Sequence, residues 1–489
     1  METGITKNQI ISELSRSPHG KLNEYLNVGQ MAAKQEPEFL AHLIAWDQRK
    51  GAIRDAKVAL PIVSLSVDFP EELAENSFAH VGLLGPRELV RAFRFALEVR
   101  LPKRMRSLRR VVTAYLQERE ANYPKWERLA VQHKATLKEL YALSHTRPSS
   151  RADSILFKGE RPAGSVFEAV ANLSKMSSGE AAGTIMERQI PFLIAMGALG
   201  QKAKEPDLVL ALIERMSPTE LVTNTKMLEK LGIKTNPALR GAYEQALTKA
   251  SKSKKNVLKT TRAAEAIEDQ GLKEKLRGLQ DKQIASMSGV EGNWLVLGDK
   301  SGSMESAIEV AKQVAATLAK MVKGKVWLVF FDTQPQTIDV TGMALDVITN
   351  VTRYIRASGG TSIGCGLQRI LDSKEQVDGI AIVSDAGENN APRFSDVYKR
   401  YAEWSGKEVP VYLFQCQGDQ PSLIYSMQQA GIDMQVFDIR GGIDFYSLPN
   451  LVQGMRTNRY SLIDEVMAVP LLKLSDVFKK TEKQELIHA

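Results

Sequence analysis

The pattern of apolar residues changes near Val290, and this change constrains the fold more than any other feature of the chain. From there on, short apolar runs alternate with segments of helical periodicity. The runs that predict strands are residues 294–298, 326–331, 380–384, 411–416 and 434–439. Nearly continuous apolar strands separated by helices are typical of a parallel sheet covered on both faces. The sequence therefore predicts a doubly wound α/β domain, whose ligand crevice lies at the carboxyl ends of the strands.

Acidic and hydroxyl side chains follow two of these predicted strands. Asp299 ends the first run and is followed at two-residue spacing by Ser301 and Ser303. Further along, a Gly-Gly-Thr sequence ends at Thr361, and Asp385 directly follows the third predicted strand. Carboxylate and hydroxyl oxygens suit a hard divalent cation such as Mg²⁺. These residues are therefore predicted to form a metal site at one edge of the sheet.

In this order, the residues resemble the metal-ion-dependent adhesion site of a von Willebrand factor A domain, which has a Rossmann-like α/β fold. The resemblance assigns the contacts to Mg²⁺ or Mn²⁺, direct or through water, to Asp299, Ser301, Ser303 and Thr361. It also implies that Asp385 holds a water molecule near the ion, and that an open position takes a carboxylate from a partner protein. Lys300, inside the motif, is expected to point outward, because alternate residues on a turn usually diverge. The alternative is a site that keeps this geometry but holds no ion in the cell.

The residue types around this motif argue against the common catalytic sites. The loop lacks the pattern of a phosphate-binding loop, and neither Ser301 nor Ser303 lies in a G-x-S-x-G elbow. No histidine lies between Gly289 and Ile487, so a serine nucleophile would lack its usual general base. We therefore expect a binding protein rather than an enzyme.

Before about residue 247, apolar residues recur at helical spacing almost throughout. The clearest helical segments are residues 38–46, 88–99, 108–116, 137–143, 185–196, 208–216 and 219–231. Proline and glycine residues separate them. Short helices that break at regular intervals predict stacked, HEAT-like helix pairs with a concave surface for an extended ligand.

The two halves of the chain differ in the sign of their charge. Residues 1–280 contain 44 Lys and Arg against 32 Asp and Glu, whereas residues 281–489 contain 21 against 25. A polyanionic partner is therefore expected to bind the N-terminal half. The basic excess peaks between residues 91 and 150. The residues predicted there to bind a nucleic acid are Arg100, Lys103, Arg104, Arg106, Arg109, Arg110, Lys134, Lys138, His145 and Arg147.

Three of these cations share one face of a predicted helix. Arg106, Arg109 and Arg110 have helical spacing, and Lys103 lies one turn below. Cations in such a row match the phosphates of a nucleic acid better than a single carboxylate. The alternative is a solvated helix face without a ligand. For His145, a role in capping the helix C-terminus competes with a contact to the nucleic acid.

The connection between the halves, residues 249–282, is charged and poor in apolar residues. It opens with a Lys-rich run, which is interpreted as a solvated linker in preference to an RNA contact. Residues 261–279 alternate acids and bases at helical spacing, which predicts an exposed helix.

Two stretches of the helical half carry a second resemblance. Residues 140–149 contain a Leu-Ser-His-x-x-Pro-like turn, and residues 216–232 contain a Met-Ser-Pro…Leu…Asn…Leu…Gly series. Both are similar to the TROVE domain of the Ro ribonucleoprotein family, including bacterial or phage-type members, in which an A domain follows. The resemblance implies an all-α, HEAT-like helical-repeat ring in residues 1–280, closed by the von Willebrand factor A domain in residues 281–489. It further implies that small noncoding Y-type RNA binds the outer basic surface and that single-stranded RNA ends bind in the central hole.

Cysteine content and hydropathy favour a cytoplasmic protein without a membrane span. Only Cys365 and Cys416 occur, which makes no disulfide framework. No apolar run approaches the roughly 18 residues that a membrane span needs, and the first residues lack the core of a signal peptide. The leading hypothesis is an RNA-binding scaffold that acts in RNA quality control or stability. The alternative is a metal-dependent protein-interaction module, whose A domain recruits a nuclease or another carboxylate-bearing partner.

Overall fold

The structure, a computed structural model, describes most of the chain. The described residues are 21–51, 53–101, 104–250, 266–285, 290–416, 421–439 and 459–478, together with Lys7, Ile10, Ile11, Thr260, Ala263, Ala264 and Met455. Their contacts divide the chain into two compact units. One unit contains the described residues from Lys21 to Gln280 and those from Val466 onward. The other contains those from Asp281 to Glu465, together with Lys7, Ile10 and Ile11. The first is helical and the second is α/β, as the sequence predicts.

Short helices joined by tight turns build the helical unit. Its α-helices are α1 (Leu26–Gln35), α2 (Pro37–Lys50), α3 (Arg54–Leu65), α4 (Glu71–Gly82), α5 (Pro86–Glu98), α6 (Met105–Ala121), α7 (Tyr123–Ser144), α8 (Ser150–Asp153), α9 (Val166–Asn172), α10 (Ser178–Glu187), α11 (Phe192–Leu199), α12 (Pro206–Arg215), α13 (Pro218–Thr223), α14 (Thr225–Leu228), α15 (Pro237–Ala250) and α16 (Gln270–Ala285). Short 3-10 turns lie at Leu22–Tyr25, Leu173–Lys175 and Gly200–Lys204, and π turns at Ser154–Lys158 and Glu229–Ile233.

Proline and capping residues set several of the helix starts. Helices α2, α5, α12 and α13 have a proline in their first turn, where the missing N–H group would have no helical partner. Helices α10 and α13 begin with capping boxes, in which Ser177 pairs with Glu180 and Ser217 with Glu220. The breaks predicted at these prolines are confirmed as helix starts.

Two segments predicted as single helices are in fact broken. Residues 185–196 divide between α10 and α11 at Gln189, whose φ of 53° is left-handed. Residues 219–231 divide at Asn224, whose side-chain amide donates to the Glu220 carbonyl oxygen at 2.8 Å and so competes with the helix. Conversely, α3 continues through Pro61, and almost every residue around this proline is buried. Tertiary packing therefore outweighs local helix signals at these points.

The prediction of an exposed helix in the connecting segment is wrong. In α16 the side chains of Leu272, Leu276 and Leu279 are buried and belong to the core of the helical unit. The alternating charges flank this apolar stripe and made the segment look polar as a whole. The Lys-rich run, apart from its first residues at the end of α15, lies outside the described residues.

A single six-stranded sheet forms the centre of the α/β unit. Its strands are β1 (Trp294–Asp299), β2 (Val326–Phe331), β3 (Pro335–Asp339), β4 (Gly379–Ser384), β5 (Val411–Gln415) and β6 (Met434–Asp438). Their order is β3-β2-β1-β4-β5-β6, and only β3 runs antiparallel to its neighbour. The five strands predicted from apolar runs are confirmed. The sequence analysis missed β3, because this edge strand is short, polar and mostly exposed.

Helices cover both faces of this sheet. The helices that pack on it are α17 (Glu305–Met321), α19 (Ile363–Asp372), α20 (Phe394–Ser405) and α21 (Ser422–Gln429). Two further helices are α18 (Leu345–Val351), which packs on α17, and α22 (Arg459–Met467). Leu295 and Leu297 of β1 point into the core shared with α19, α20 and α21. The opposite face of β1 packs on α17, where a Cβ atom at Gly298 would lie only 2.7 Å from the Ala311 Cβ. Glycine therefore lets α17 approach the strand that ends in Asp299.

After α22 the last described segment, which includes α23 (Leu474–Val477), joins the helical unit. The backbone N–H of Leu472 donates to the Asn76 Oδ1 of α4 at 2.9 Å. The backbone N–H of Leu474 likewise donates to the Glu75 Oε1 at 3.1 Å. A Cβ atom at Gly82 would lie 2.7 Å from the Phe478 Cζ. The segment is thus held on α4 by hydrogen bonds and close packing.

Candidate metal centre and candidate nucleic-acid interface

The topology of the sheet brings two of the predicted metal ligands to one place. The chain runs from β1 toward β2 on one side and later returns to β4 on the other, so the strand order reverses between β1 and β4. This reversal creates a crevice at the carboxyl ends of the two strands. Asp299 is the last residue of β1, and Asp385 directly follows β4.

Asp299 is buried and held by hydrogen bonds to both carboxylate oxygens. Its Oδ1 accepts from the Ser301 backbone N–H at 2.8 Å, and its Oδ2 accepts from the Ser384 hydroxyl at 2.6 Å. Burial raises the pKa of Asp299 to about 6, and the negative charge of the nearby Asp385 acts in the same direction. The hydrogen bonds to Ser384 and Ser301 lower this pKa, but they do not outweigh burial. No described cation forms a salt bridge with Asp299. A bound divalent cation would supply the missing positive charge.

The loop that carries Thr361 is tied to this crevice from two directions. Its Gly359 carbonyl oxygen accepts from the Gly302 N–H at 3.2 Å. On the other side, the Thr361 N–H donates to the Asn389 Oδ1 at 2.9 Å, and the Thr361 carbonyl oxygen accepts from the Asn390 N–H at 2.9 Å. Thr361 is therefore fixed between the loop after β1 and the loop after β4.

The prediction that Lys300 points outward is wrong. Its side chain is only 7% exposed, and its ammonium donates to the Asp332 carboxylate, which follows β2. Partial burial alone would raise the pKa of Asp332, but the hydrogen bond from Lys300 and one from the Gln334 N–H outweigh burial and hold this pKa below its usual value. Alternate residues on the loop do diverge, but Lys300 diverges toward the neighbouring strand end rather than toward solvent.

A residue that sequence reasoning missed also organises these loops. The carboxylate of Glu388 is buried and accepts from the Gly364 N–H at 3.0 Å and from the Phe394 N–H at 3.0 Å. These N–H groups lie in the first turns of α19 and α20, which carry unsatisfied donors and a positive helix dipole. Glu388 thus joins the starts of two helices near the candidate site. Its signal in the sequence was weak, since it is one acid in a polar loop.

The residues present fit a hard cation. Asp299 and Asp385 supply carboxylates, and Ser301 and Thr361 supply buried hydroxyl-bearing side chains. Ser303 is exposed on the same loop. Among the described residues, no three His, Cys, Asp or Glu side chains form a metal-binding group. Any cation here would therefore have few charged ligands and would retain water, as Mg²⁺ commonly does.

The basic residues around α6 fall into two groups in the structure. Arg106 and Arg110 are exposed and lie one turn apart, with Arg109 half-buried beside them. Arg104 is different. Its side chain is 14% exposed, its guanidinium donates to the Phe69 carbonyl oxygen, and it lies 3.6 Å from Glu71. Arg104 therefore makes an internal contact, whereas Arg106 and Arg110 remain available to a ligand.

The other predicted RNA contacts lie around this helix. Arg100 is exposed, and Lys103 lies outside the described residues. Lys134 and Lys138 are half-buried on α7. His145 is the C-cap of α7 with a left-handed φ of 56°, so its backbone does end the helix while its exposed ring stays free to contact a ligand. Arg147 is exposed in the turn that follows.

None of the described helices is both long enough and apolar enough to cross a membrane. Cys365 and Cys416 are buried free thiols, and burial raises the pKa of Cys365 to about 11 and that of Cys416 to about 12. Neither thiol is therefore activated as a nucleophile near neutral pH.

Comparison with solved structures finds the same fold in a Ro protein. The chain matches the crystal structure of the Deinococcus radiodurans RO (RSR) protein with a TM-score of 0.60 and 13% sequence identity, over 92% of this chain and 100% of that chain. No family model and no curated protein matches the sequence. The predicted resemblance is thus confirmed for the fold, a helical region followed by a six-stranded, mostly parallel sheet with helices.

Proposed function

We propose that this protein is a non-catalytic, RNA-binding scaffold of the Ro type that acts in the cytoplasm. The observation that carries the proposal is the combination of a Ro-like fold over 92% of the chain with the exposed cations of α6. The ligands would be small noncoding RNA of the Y type and single-stranded RNA ends, and the cellular role would be RNA quality control or stability. Arg100, Arg106, Arg110, His145 and Arg147 are the exposed members of the proposed interface.

Electrostatics would dominate the affinity of such an interface. Each Lys or Arg that neutralises a phosphate releases a bound counterion, so affinity falls steeply with salt. Arginine side chains on a helix surface contact the backbone and read its shape, and sequence preference should accordingly be modest.

Reversal of charge at Arg106 and Arg110 tests this proposal. The variant Arg106→Glu/Arg110→Glu should bind RNA roughly 10- to 100-fold more weakly at low salt, and its affinity should depend less on salt. A matched control is Lys226→Glu/Lys230→Glu, which makes the same charge change at the same spacing on exposed residues elsewhere in the helical unit. RNA that copurifies with each protein should be sequenced, and affinities measured by filter binding. A discrete small RNA that is lost only from the α6 variant supports the proposal. Equal loss in both variants, or no RNA with the wild type, contradicts it.

We further propose that the crevice of the α/β unit binds Mg²⁺ or Mn²⁺. The residues that would hold the ion, directly or through water, are Asp299, Ser301, Ser303, Thr361 and Asp385. The buried carboxylate of Asp299, without a described cation partner, favours this proposal. When bound, the ion offers a coordination position to a carboxylate of a partner protein, such as a nuclease. This second activity is compatible with RNA binding by the helical unit.

Calorimetric titration with Mn²⁺ tests the metal site. Asp299→Ala should abolish measurable binding, because a buried charged ligand is removed, and RNA affinity should not change. Asp339→Ala is the control. Asp339 pairs with Trp327 near the start of β2, whereas Asp299 pairs with Phe331 at the end of β2. A wild-type protein that takes up no Mn²⁺ rules out the site, and equal binding by the Asp299 variant assigns the ion to other residues.

A further inference from the structure

A partly exposed aromatic ring lies beside a group of cations in the helical unit. Phe157 is 45% exposed, whereas most phenylalanine side chains are buried. Its ring packs edge to face against Tyr141, with centroids 6.2 Å apart, and the Lys138 ammonium lies 5.5 Å from its centroid. The ring is therefore held in place by its neighbours and still keeps a large open surface.

The local backbone explains this exposure. Phe157 belongs to the π turn Ser154–Lys158, which continues α8 and ends at Gly159 with a left-handed φ of 75°. Ile155 and Leu156 of the same turn are fully buried and anchor it. Because π turns are uncommon and frequent at functional sites, an exposed ring on a firmly anchored one points to a use outside the core.

Lys138, the cation beside the ring, belongs to a group of basic side chains. Lys134 lies one turn before Lys138 on α7, and its pKa is lowered by partial burial and by the charges of Lys138 and Arg161. Arg161 is exposed. Of the acids closest along the chain, Glu139 pairs with Arg94 and Asp153 with Lys158, and Glu160 is exposed next to Arg161. Cations that repel one another in this way favour a ligand that carries phosphates.

We propose that Phe157 is a stacking platform for an unpaired base of single-stranded RNA, with Lys134, Lys138 and Arg161 contacting the adjacent phosphates. Every base has a flat π surface that can stack on an exposed aromatic ring, and cations beside the ring match the backbone of the same strand. An apolar peptide would need further apolar side chains around Phe157, whereas the ring lies between the edge of the buried Tyr141 and the Lys138 ammonium. The inference rests on the proposed RNA-binding function and adds a residue that contacts bases, which the arginines of α6 do not supply.

Fluorescence anisotropy with the full-length protein tests this platform. Two labelled probes of equal length are compared, an oligoadenylate and an abasic strand with the same backbone but no bases. Phe157→Ala should weaken oligoadenylate binding by about 5- to 100-fold, as expected for the loss of one stacked base. Binding of the abasic strand should not change.

Phe157→Tyr keeps a ring and should bind like the wild type. Tyr354→Ala is the matched control, because Tyr354 is a 62% exposed aromatic residue of the α/β unit.

The outcomes separate this inference from the proposed function. If Phe157→Ala binds oligoadenylate as well as the wild type does, the platform is ruled out and RNA binding by α6 stands. If Phe157→Ala binds both the oligoadenylate and the abasic strand more weakly by the same factor, stacking is contradicted as well. Phe157 would then only hold the neighbouring cations in position. If the wild type binds neither probe and copurifies with no RNA, both the platform and the proposed function fail.

Discussion

Three buried carboxylates of the α/β unit and two buried groups of the helical unit differ in their hydrogen bonding. In the α/β unit, Asp299, Asp332 and Glu388 each accept hydrogen bonds from defined donors in neighbouring loops. In the helical unit, the two ring nitrogens of His80 and the Oδ2 of Asp47 are buried. None of these three atoms has a hydrogen-bond partner among the described residues. The first arrangement holds loops in position, and the second does not.

The pKa directions show how the helical unit accommodates these groups. Burial lowers the pKa of His80 to about 4, and the charge of Arg49 contributes in the same direction. Burial raises the pKa of Asp47 to about 7, against a smaller opposite effect of Lys57. Both groups thus avoid charge over much of the range between pH 4 and 7. Hydrogen bonds to the three carboxylates of the α/β unit thus fix local geometry, whereas His80 and Asp47 are accommodated by remaining neutral.

The largest expected effect is the loss of the Glu388 carboxylate. Glu388→Ala leaves buried N–H groups at the starts of α19 and α20 without an acceptor, and should destabilise the α/β unit by about 3–5 kcal/mol. Glu388→Gln keeps one oxygen acceptor and should cost less than half as much. Hydrogen exchange at the Gly364 and Phe394 amides measures the effect within this unit, where these protons are bonded to Glu388. A cost below about 1 kcal/mol for the alanine variant would mean that the carboxylate does not hold the loops.

The second prediction concerns the pH dependence of the helical unit. His80 has a lower pKa in the folded state than the ordinary 6.5, so its contribution to stability is present above that value and is lost as the pH falls toward 4. Asp47 has a higher pKa than the ordinary 3.8, so its contribution is present below that value and is lost as the pH rises through about 7. Each amounts to about 3–4 kcal/mol at most, and the two trends oppose each other.

Single substitutions should reveal the two opposing trends. His80→Leu removes the acid-sensitive group, so this variant should gain stability relative to the wild type as the pH falls from 7 to 4. Asp47→Asn removes the opposite trend and should lose stability relative to the wild type over the same range. Urea unfolding at several pH values, followed by hydrogen exchange in α2 and α4, provides the measurement. Parallel pH profiles for both variants and the wild type would show that these groups titrate alike in the folded and unfolded chain.

The sequence predicted the strands that follow from periodicity and the placement of two acids that follows from topology. Apolar runs located five strands within about one residue, because strands buried on both faces must be apolar. Asp299 and Asp385 were predicted to meet because the carboxyl ends of adjacent parallel strands lie at one edge, and β1 and β4 are indeed neighbours.

The features that escaped prediction depend on contacts between distant segments. Glu388 lies in a polar loop, and only the fold shows that it caps two helices. Lys300 looked like a solvent-facing residue because its partner, Asp332, is distant in sequence. The sequence analysis did not single out Phe157, since its exposure depends on a π turn that no local pattern indicates.

The smallest expected effect separates two arginines that sequence reasoning placed in one basic cluster. Arg104→Ala removes a partly buried guanidinium that bonds to the Phe69 carbonyl oxygen, and should destabilise the helical unit by about 1–2 kcal/mol with little effect on RNA affinity. Arg106→Ala removes an exposed side chain, so it should change stability by less than about 0.5 kcal/mol and weaken RNA binding by several-fold. Urea unfolding measures the stability of both variants, and fluorescence anisotropy measures their affinity for RNA. If the arginines behave alike in both measurements, burial does not separate structural from ligand-binding cations on this surface. If they differ as expected, fractional exposure becomes the criterion by which the remaining basic residues should be assigned.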